Sequence, residues 1–375
     1  MWMEGSTSGV YRMWFQHMDI NRIPFYQYNT IIVGTGAAGL NAAVTLHKLG
    51  QKNIALITEG RYMGTSRNTG SDKQTYYKMT QCGSEPDSVR KMAKTLFEGG
   101  CVDGDIAMAE AAGSLRAFYH LVDIGVPFPF NKSGEYVGYK TDHDPLKRGI
   151  SAGPLTSKYM TECLERQAEE RGIPFFDGYQ AVRLLTEEED GVKRAAGIIA
   201  LNKRKAASPD ERYAVFSAVN VIWATGGEAG MYQASVYPVS QTGGMGILLE
   251  AGAAAKNLTE SQFGIASVKH RWNLSGTFQQ CLPRYLSADQ DGGNEREFLN
   301  DYFDTPRQLL TAVFLKGYQW PFDPRKVEAQ GSSLIDLLVY QETVLKGRRV
   351  YLDFMHNPSA LMEDGHVTFR YLAGE

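Results

Sequence analysis

The segment Gly34-Thr35-Gly36-Ala37-Ala38-Gly39 lies between the apolar run Ile31-Ile32-Val33 and a helical pattern from Leu40 to Leu49. A short β-branched strand that feeds directly into G-x-G-x-x-G and then a helix defines the first half of a βαβ unit, and with it an α/β fold. The same spacing sets chemistry, because the free N–H groups at the start of a helix suit a pyrophosphate. Gly34 permits the tight turn, Gly36 removes the Cβ that would block the phosphates, and Gly39 lets the helix pack against the strand. Ala37 and Ala38 complete this expected dinucleotide turn.

Glu59 ends the second apolar run, Ile54-Ala55-Leu56-Ile57-Thr58, about 20 residues beyond the last glycine, as the dinucleotide fingerprint requires. A carboxylate there can hold both ribose hydroxyls and repels a 2′-phosphate, so FAD or NAD is expected rather than NADP. Further on, Val219 to Trp223 reads as a buried strand ending in Ala224-Thr225-Gly226-Gly227, whose glycines let the backbone turn beneath a nucleotide. An ordinary strand-end turn is the plain alternative. Gln241-Thr242-Gly243-Gly244-Met245-Gly246 then opens a helix expected over Ile247 to Ala255, whose N–H groups can receive a flavin's polar edge or a phosphate. Two glycine-rich helix starts on one chain favour an extended dinucleotide.

Between these landmarks, Gly64 to Lys73 is a polar loop rich in donors. Helical periodicity covers Val89 to Phe97, Ile106 to Leu121 and Thr156 to Arg171, with Ser157 as a candidate cap for the last. Strand patterns over Tyr179 to Leu185, Ala195 to Leu201 and Tyr213 to Phe216 form a three-stranded meander, with a hairpin at Asp190-Gly191. The acidic cluster Glu187 to Asp190 reads as a solvated turn and not as a metal site.

The 375 residues suggest two domains or one with a substantial insertion, and a net charge of −3 leaves no basic patch for nucleic acid. Cys82, Cys101, Cys163 and Cys281 are scattered, without metal-ligand or iron–sulfur spacing, which fits reduced thiols and a cytoplasmic location. No stretch has the length of a membrane span, and the first 29 residues lack the apolar core of a signal peptide. With Trp2, Trp14, Phe15 and Phe25 among polar residues, residues 1–28 fit an extension, an ordered arm or a misassigned start.

These parts in this order resemble the flavoprotein subunits of fumarate reductase and succinate dehydrogenase, and relatives such as L-aspartate oxidase. The matching pieces are Gly34 to Gly39, Glu59, the Ser66 loop, the meander before Ala224 to Gly227, and Gly244-Met245-Gly246 leading to Ala251-Gly252. The resemblance implies a Rossmann-like FAD-binding domain over 29–255, a parallel sheet with a β-meander, and an inserted α+β capping domain over 256–375. It places the adenosine near Glu59 and Ala181-Val182, the pyrophosphate on the first helix and the isoalloxazine beneath the Ser66 loop. Gly60, Arg67, Asn68 and Ser71 join the expected cofactor-binding set.

In the capping region, Asn294 to Leu299 resembles the family's G-E-R-F segment and Val350 to Asp353 one of its strands. Thr305-Pro306-Arg307 precedes a helical run, Gln308 to Tyr318, in the manner of the segment that carries the family's arginine proton donor. Arg307 is accordingly the first catalytic candidate; an exposed arginine in a helix's first turn is its plain alternative. Departures from the pattern are informative too. Ser66-Arg67-Asn68 replaces the S-H-T segment of relatives that attach FAD through histidine, so the flavin is expected to be noncovalent. Phe263 to Ala266 replaces the H-P-T-G segment that grips a dicarboxylate, and Gly243 stands in place of the T-G-D-G acid.

Lys269-His270-Arg271-Trp272, with Arg284-Tyr285 downstream, can recognise an anionic or planar substrate and equally fits a solvated surface. His270 and Arg271 complete the catalytic candidates. His356 and His366 lie before the late segment that finishes the family's FAD domain, and are not equated with its histidine. The chain stops at Glu375 without that segment, so it is expected to be a fragment truncated at its C-terminus or to complete its fold otherwise, with weak flavin retention and low solubility. The activity implied is hydride transfer between FAD and a small anionic substrate, with a separate electron-donor protein as possible partner. A flavin-binding or electron-transfer module without its own catalytic site, and an NAD-dependent dehydrogenase, are the competing readings.

Overall fold

A computed structural model of the protein describes residues 22–69, 74–98, 102–141, 144, 146–227, 232, 235, 237, 241, 243–255, 265–269, 272–274, 276–319 and 322–363. The chain divides into two compact units, Met1–Tyr76 with Ala112–Pro129 and Ser151–Lys256, and Tyr77–Ala111 with Phe130–Ile150 and Asn257–Glu375.

The first unit is built on β1 (Phe25–Val33), α1 (Ala37–Lys48), β2 (Ile54–Thr58), α2 (Thr156–Glu170), β3 (Phe175–Asp177), β4 (Tyr179–Glu189), β5 (Val192–Asn202) and β6 (Tyr213–Trp223). Its six strands form one sheet in the order β3-β2-β1-β6-β5-β4. Strands β3, β2, β1 and β6 run parallel, and β6, β5 and β4 form the antiparallel meander. Both faces of β2 and of the last four residues of β1 are buried, which explains runs of apolar residues without polar alternation. Ile31, Val33 and Ile57 pack with Ile198, Ala200 and Phe216 on one face. There the rings of Tyr26, Phe176, Tyr179 and Phe216 cluster, with centroids 4.8 Å apart for Phe176 and Phe216. Helix α1 packs on β1, β2 and α2.

β1 begins at Phe25, within the stretch read as an N-terminal extension. The two runs Tyr213 to Phe216 and Val219 to Trp223 are one strand, because β1 pairs with β6 from Phe25↔Val215 to Val33↔Trp223. β5 accompanies β6 only as far as Gly197↔Ser217. Val219 beyond that point is 72% exposed, so the last part of β6 is not the buried strand expected. The hairpin at Asp190-Gly191 carries positive φ at both residues, 53° and 74°, as a type I′ turn demands. Beside it Glu187 faces Arg194 and Glu188 faces Lys193, so the acidic cluster lies on the strand's end opposite complementary charge.

Two helix ends differ from expectation. Leu155, not Ser157, is the N-cap of α2, and Thr156 Oγ1 accepts the Ala152 N–H at 2.9 Å and donates to Gly153 O at 2.7 Å. The helix expected over Ile247 to Ala255 spans Met245–Glu250. It stops early because Gly252, at φ +92°, turns the chain and its neighbour's N–H returns to Leu248 O.

In the second unit, helix Val89–Glu98 packs Met92 and Ala93 against Ala107 and Ala111 of the helix Gly104–Asp123. Strands β7 (Arg284–Ala288) and β8 (Arg349–Asp353) pair antiparallel. Helix α3 (Pro306–Lys316) contributes Leu309, Leu310 and Val313 to a core with Phe298, Ile335 and Leu338. Thr305 caps α3, its Oγ1 accepting the Gln308 N–H at 3.2 Å ahead of Pro306. A Thr305→Ala variant is expected to lose about 1 kcal/mol of stability, read from the denaturant midpoint. Arg148 is fully buried and gives a two-pronged bond to Asp87, at 2.7 and 2.9 Å. Lys316 and Asp336 form a second buried ion pair. Among the described residues no helix is long and apolar enough to cross a membrane.

Candidate functional site

Parallel pairing brings the carboxyl ends of β1, β2 and β6 to one edge of the sheet, the position where α/β sheets bind ligands. Gly34 N–H donates to Ile57 O at 2.8 Å and Ala224 N–H to Val33 O at 2.7 Å. Gly34 sits at φ +107°, and a Cβ there would lie 2.3 Å from Ala224 O. A Cβ on Gly39 would lie 2.0 Å from Gly34 O, so α1 leaves the turn at backbone contact distance. These two glycines are required by the chain's packing on itself. Gly36 is the N-cap of α1 without a side-chain bond, Ala37 and Ala38 open the helix, and no acidic residue lies in its first turn. Thr35 Oγ1 donates to Thr58 Oγ1 at 3.1 Å, a buried tie between the ends of β1 and β2 that the motif does not announce.

Over this turn lies the Ser66 loop, wound into one helical turn at Thr65–Asn68. Ser66 Oγ accepts the Ala37 N–H at 3.3 Å. Asn68 Nδ2 donates to Tyr62 O at 2.6 Å and Gly64 O at 3.0 Å, so it closes its own turn instead of pointing outward. Arg67 pairs with Glu165 of α2, lies 3.5 Å from Glu162 and stacks on the Tyr62 ring at 5.1 Å. Arg61 pairs with Glu165 and Glu169 and stacks on Phe175 at 4.1 Å. Glu165 is thus shared by two guanidiniums and locks the loop to α2. This cluster was missed from sequence, although Glu162, Glu165 and Glu169 fall at i, i+3 and i+7 on one helix face, a stripe that calls for cations. Gly60 lies against Met63, whose Sδ would be 2.2 Å from a Cβ there. Ser71 lies outside the described residues.

At the end of β2 the Glu59 carboxylate accepts from Lys203 Nζ at 2.7 Å, both side chains being partly exposed. Lys203 was not anticipated. Ala181 faces Ala200 and Arg183 faces Ile199, which leaves Val182 as the extra residue of a bulge, outside the ladder pairing. Beyond β6, Gly226 takes φ +80°. A Cβ on Gly244 would lie 2.7 Å from Trp223 Nε1 and 2.8 Å from Thr225 Oγ1, two sealed polar atoms without hydrogen-bond partners. Gly227 and Gly246 face open space, and nothing in the structure requires glycine at either.

Of the catalytic candidates, Arg307 is exposed on the first turn of α3, while His270 and Arg271 lie outside the described residues. Arg284 and Tyr285 do not form a recognition surface. Arg284 is engaged by Asp353 at 2.8 Å, and Tyr285 is buried with its hydroxyl on Gln279 Oε1 at 2.5 Å. Burial drives that phenol's pKa well up. Asp353 also takes the Met355 N–H and His356, and with Arg284 these hold its carboxyl down at about 2. His356 therefore joins a local turn, the structural role expected of a lone histidine.

A glycine cradle at parallel strand ends, a helix start open to anions and an acid closing β2 define a dinucleotide-binding α/β protein. The backbone at Gly36, where a Cβ would meet only Ser66 Oγ, and the orphaned Trp223 and Thr225 atoms fit such a group. Residues 29–284 match the family described as FAD binding domain, and the chain belongs to that family. FAD is the cofactor of this fold. The chain is 28% identical over 355 residues to the L-aspartate oxidase of Pseudomonas aeruginosa, covering 90% of this chain and 59% of that protein. It is 28% identical over 271 residues to the 8-methylmenaquinol:fumarate reductase flavoprotein subunit of Wolinella succinogenes, covering 71% and 42%. A solved quinol-fumarate reductase with menaquinol molecules shares the fold with a TM-score of 0.63 at 18% identity, covering 91% of this chain and 57% of that one. The chain spans about half the length of the curated relatives it matches.

Proposed function

We propose that this chain is the flavin-holding part of an oxidoreductase that moves a hydride between noncovalent FAD and a small anionic organic substrate. The carrying observation is the meeting of β1 and β6 at Gly34 and Ala224, with the Ser66 loop over the α1 start and Glu59 at the end of β2. In this reading the N–H groups around Gly36, Ala37 and Ala38 hold the pyrophosphate and Glu59 the ribose. The bulged backbone at Ala181-Val182 meets the adenine. Gly60, Ser66, Arg67, Asn68, Ser71, Ala224 to Gly227, Gly244 and Gly246 line the remainder. FAD supplies a ring that accepts or returns a hydride.

The protein's own part is to bind, orient and handle charge. Arg307 is assigned to stabilise charge that develops on the substrate and to pass it a proton, with His270 and Arg271 recognising the anion. The names of the two relatives, aspartate and fumarate, support a carboxylate substrate. That one of them is a subunit supports a separate electron-donor protein. The free cysteines Cys82, Cys163 and Cys281 support a reducing, cytoplasmic setting.

Noncovalent attachment is supported by Arg67, an always-charged guanidinium already bound to Glu165, which offers no nucleophile to a flavin. Acid denaturation of the purified protein is expected to release all its colour, with FAD in the supernatant and an unmodified polypeptide mass. A polypeptide heavier by one flavin overturns this. Reoxidation of the anaerobically reduced protein by enoates or imines supports the enzymatic reading. Failure of every candidate favours a flavin module without its own catalytic site.

A further inference from the structure

We propose that Gln241 is a positioning residue that clamps the two loops of the cofactor cradle together and so sets how tightly FAD is held; this rests on the FAD reading above. Gln241 Oε1 accepts the Thr65 hydroxyl, while Nε2 donates to Gly227 O at 3.1 Å and to Thr225 O at 3.4 Å. One primary amide thus uses both its ends to join three segments: the Ser66 loop, the turn after β6 and the approach to Met245–Glu250.

The clamp continues through the chain. Thr65 is followed by Ser66, whose Oγ sits on the Ala37 N–H at the start of α1, so Gln241 fixes the loop that touches the helix start. Gly226 is part of the same device, because a Cβ there would lie 2.4 Å from Gln241 Nε2 and push the amide off both carbonyls. The chemistry is specific to an amide. A glutamate of the same size has no donor for Gly227 O and Thr225 O and would set a negative charge against two carbonyl dipoles. The substitution that conserves shape should therefore do more harm than simple truncation.

The test compares wild type with Gln241→Glu, Gln241→Ala, Thr65→Val and the Gln241→Ala/Thr65→Val double variant. The first readout is hydrogen exchange, without added FAD, at the amides of Arg67, Asn68 and Thr69, which bond to Gly64 O and Thr65 O within the loop. Gln241→Glu is expected to speed their exchange about tenfold, Gln241→Ala and Thr65→Val by less, and the double variant no more than the worse single one. The second is the FAD dissociation constant by flavin fluorescence, expected to rise about tenfold in Gln241→Glu. Unchanged exchange, or faster exchange at unchanged affinity, overturns the clamp. If wild type takes up no FAD while Gln241→Glu still loosens the loop, the FAD reading fails and the loop contact stands. If wild type binds FAD and the variants match it, the clamp fails and the FAD reading stands.

Discussion

A Gly34→Ala variant is expected to lose roughly 3 kcal/mol or more of stability and to bind no FAD. Two costs combine. The backbone holds φ +107°, which a side chain adopts only under strain, and the added carbon would sit 2.3 Å from Ala224 O. Strain of that kind costs about 1–3 kcal/mol, and overpacking about the same again. Relief would require β1 and β6 to part where Ala224 N–H bonds Val33 O, at the site itself. Denaturant unfolding and FAD titration measure the two effects separately. Gly36→Ala is the informative partner, since a Cβ there meets only Ser66 Oγ, at 3.3 Å. It is expected to leave the unfolding midpoint nearly unchanged while weakening FAD at least about tenfold, because in the proposed reading its missing Cβ makes room for the phosphates. Full stability and full affinity in Gly34→Ala would show that the strand ends relax without consequence.

Arg148→Met is expected to cost about 3–5 kcal/mol in the second unit, where two carboxylates would be left buried without their cation. Arg148 Nε and Nη2 hold both oxygens of Asp87, and Nη1 reaches Thr95 Oγ1, Tyr77 OH and Asp144 Oδ1 at 2.9, 3.2 and 3.3 Å. Burial alone would push the Asp87 carboxyl up. The Arg148 bonds and the N–H groups of Thr80 and Ser88 outweigh it and leave the group below its ordinary 3.8. Its contribution to stability is therefore complete above the unfolded value and is lost as pH falls through the lower, folded one. In Arg148→Met the sign reverses, because an unpaired buried Asp87 favours its protonated form. The variant's deficit should therefore begin to shrink above the range of an ordinary aspartate, about pH 4, and keep shrinking as pH falls through it. Urea melts at neutral and acid pH check both statements. An Arg148→Met/Asp87→Leu double variant should regain only part of the loss, since it removes one stranded carboxylate but leaves Asp144 unpaired and takes the acceptor from the Thr80 and Ser88 N–H groups.

The cofactor half of the molecule was legible because its signals are local. A strand, a turn with fixed glycine spacing and a helix follow one another within a few residues, and Gly39 is dictated by the nearby Gly34 carbonyl, whereas the contact that demands Gly34 comes from Ala224, far along the chain. The meander was legible for the same reason, through the two positive φ angles that Asp190-Gly191 accommodates. Errors arose where a long-range partner decides. Tyr213 to Trp223 looks like two strands until β1 is laid beside it. Arg284-Tyr285 looks like a recognition pair until Asp353 and Gln279 claim it, because the identity of a basic or aromatic residue does not say which partner satisfies it.

By itself, then, the sequence determined the βαβ start, the nucleotide class of the ligand and the absence of a nucleophile at Arg67. Those follow from residue type and short spacing, which act through local sterics and charge. Only the tertiary structure decided that Glu165 binds both Arg61 and Arg67, that Lys203 stands against Glu59, and that Gln241 bridges Thr65 to Gly227. Each is a contact between groups far apart in the chain and close in space. A hydrogen bond or ion pair depends on distances of a few tenths of an ångström, which packing of the sheet and helices sets and residue spacing does not.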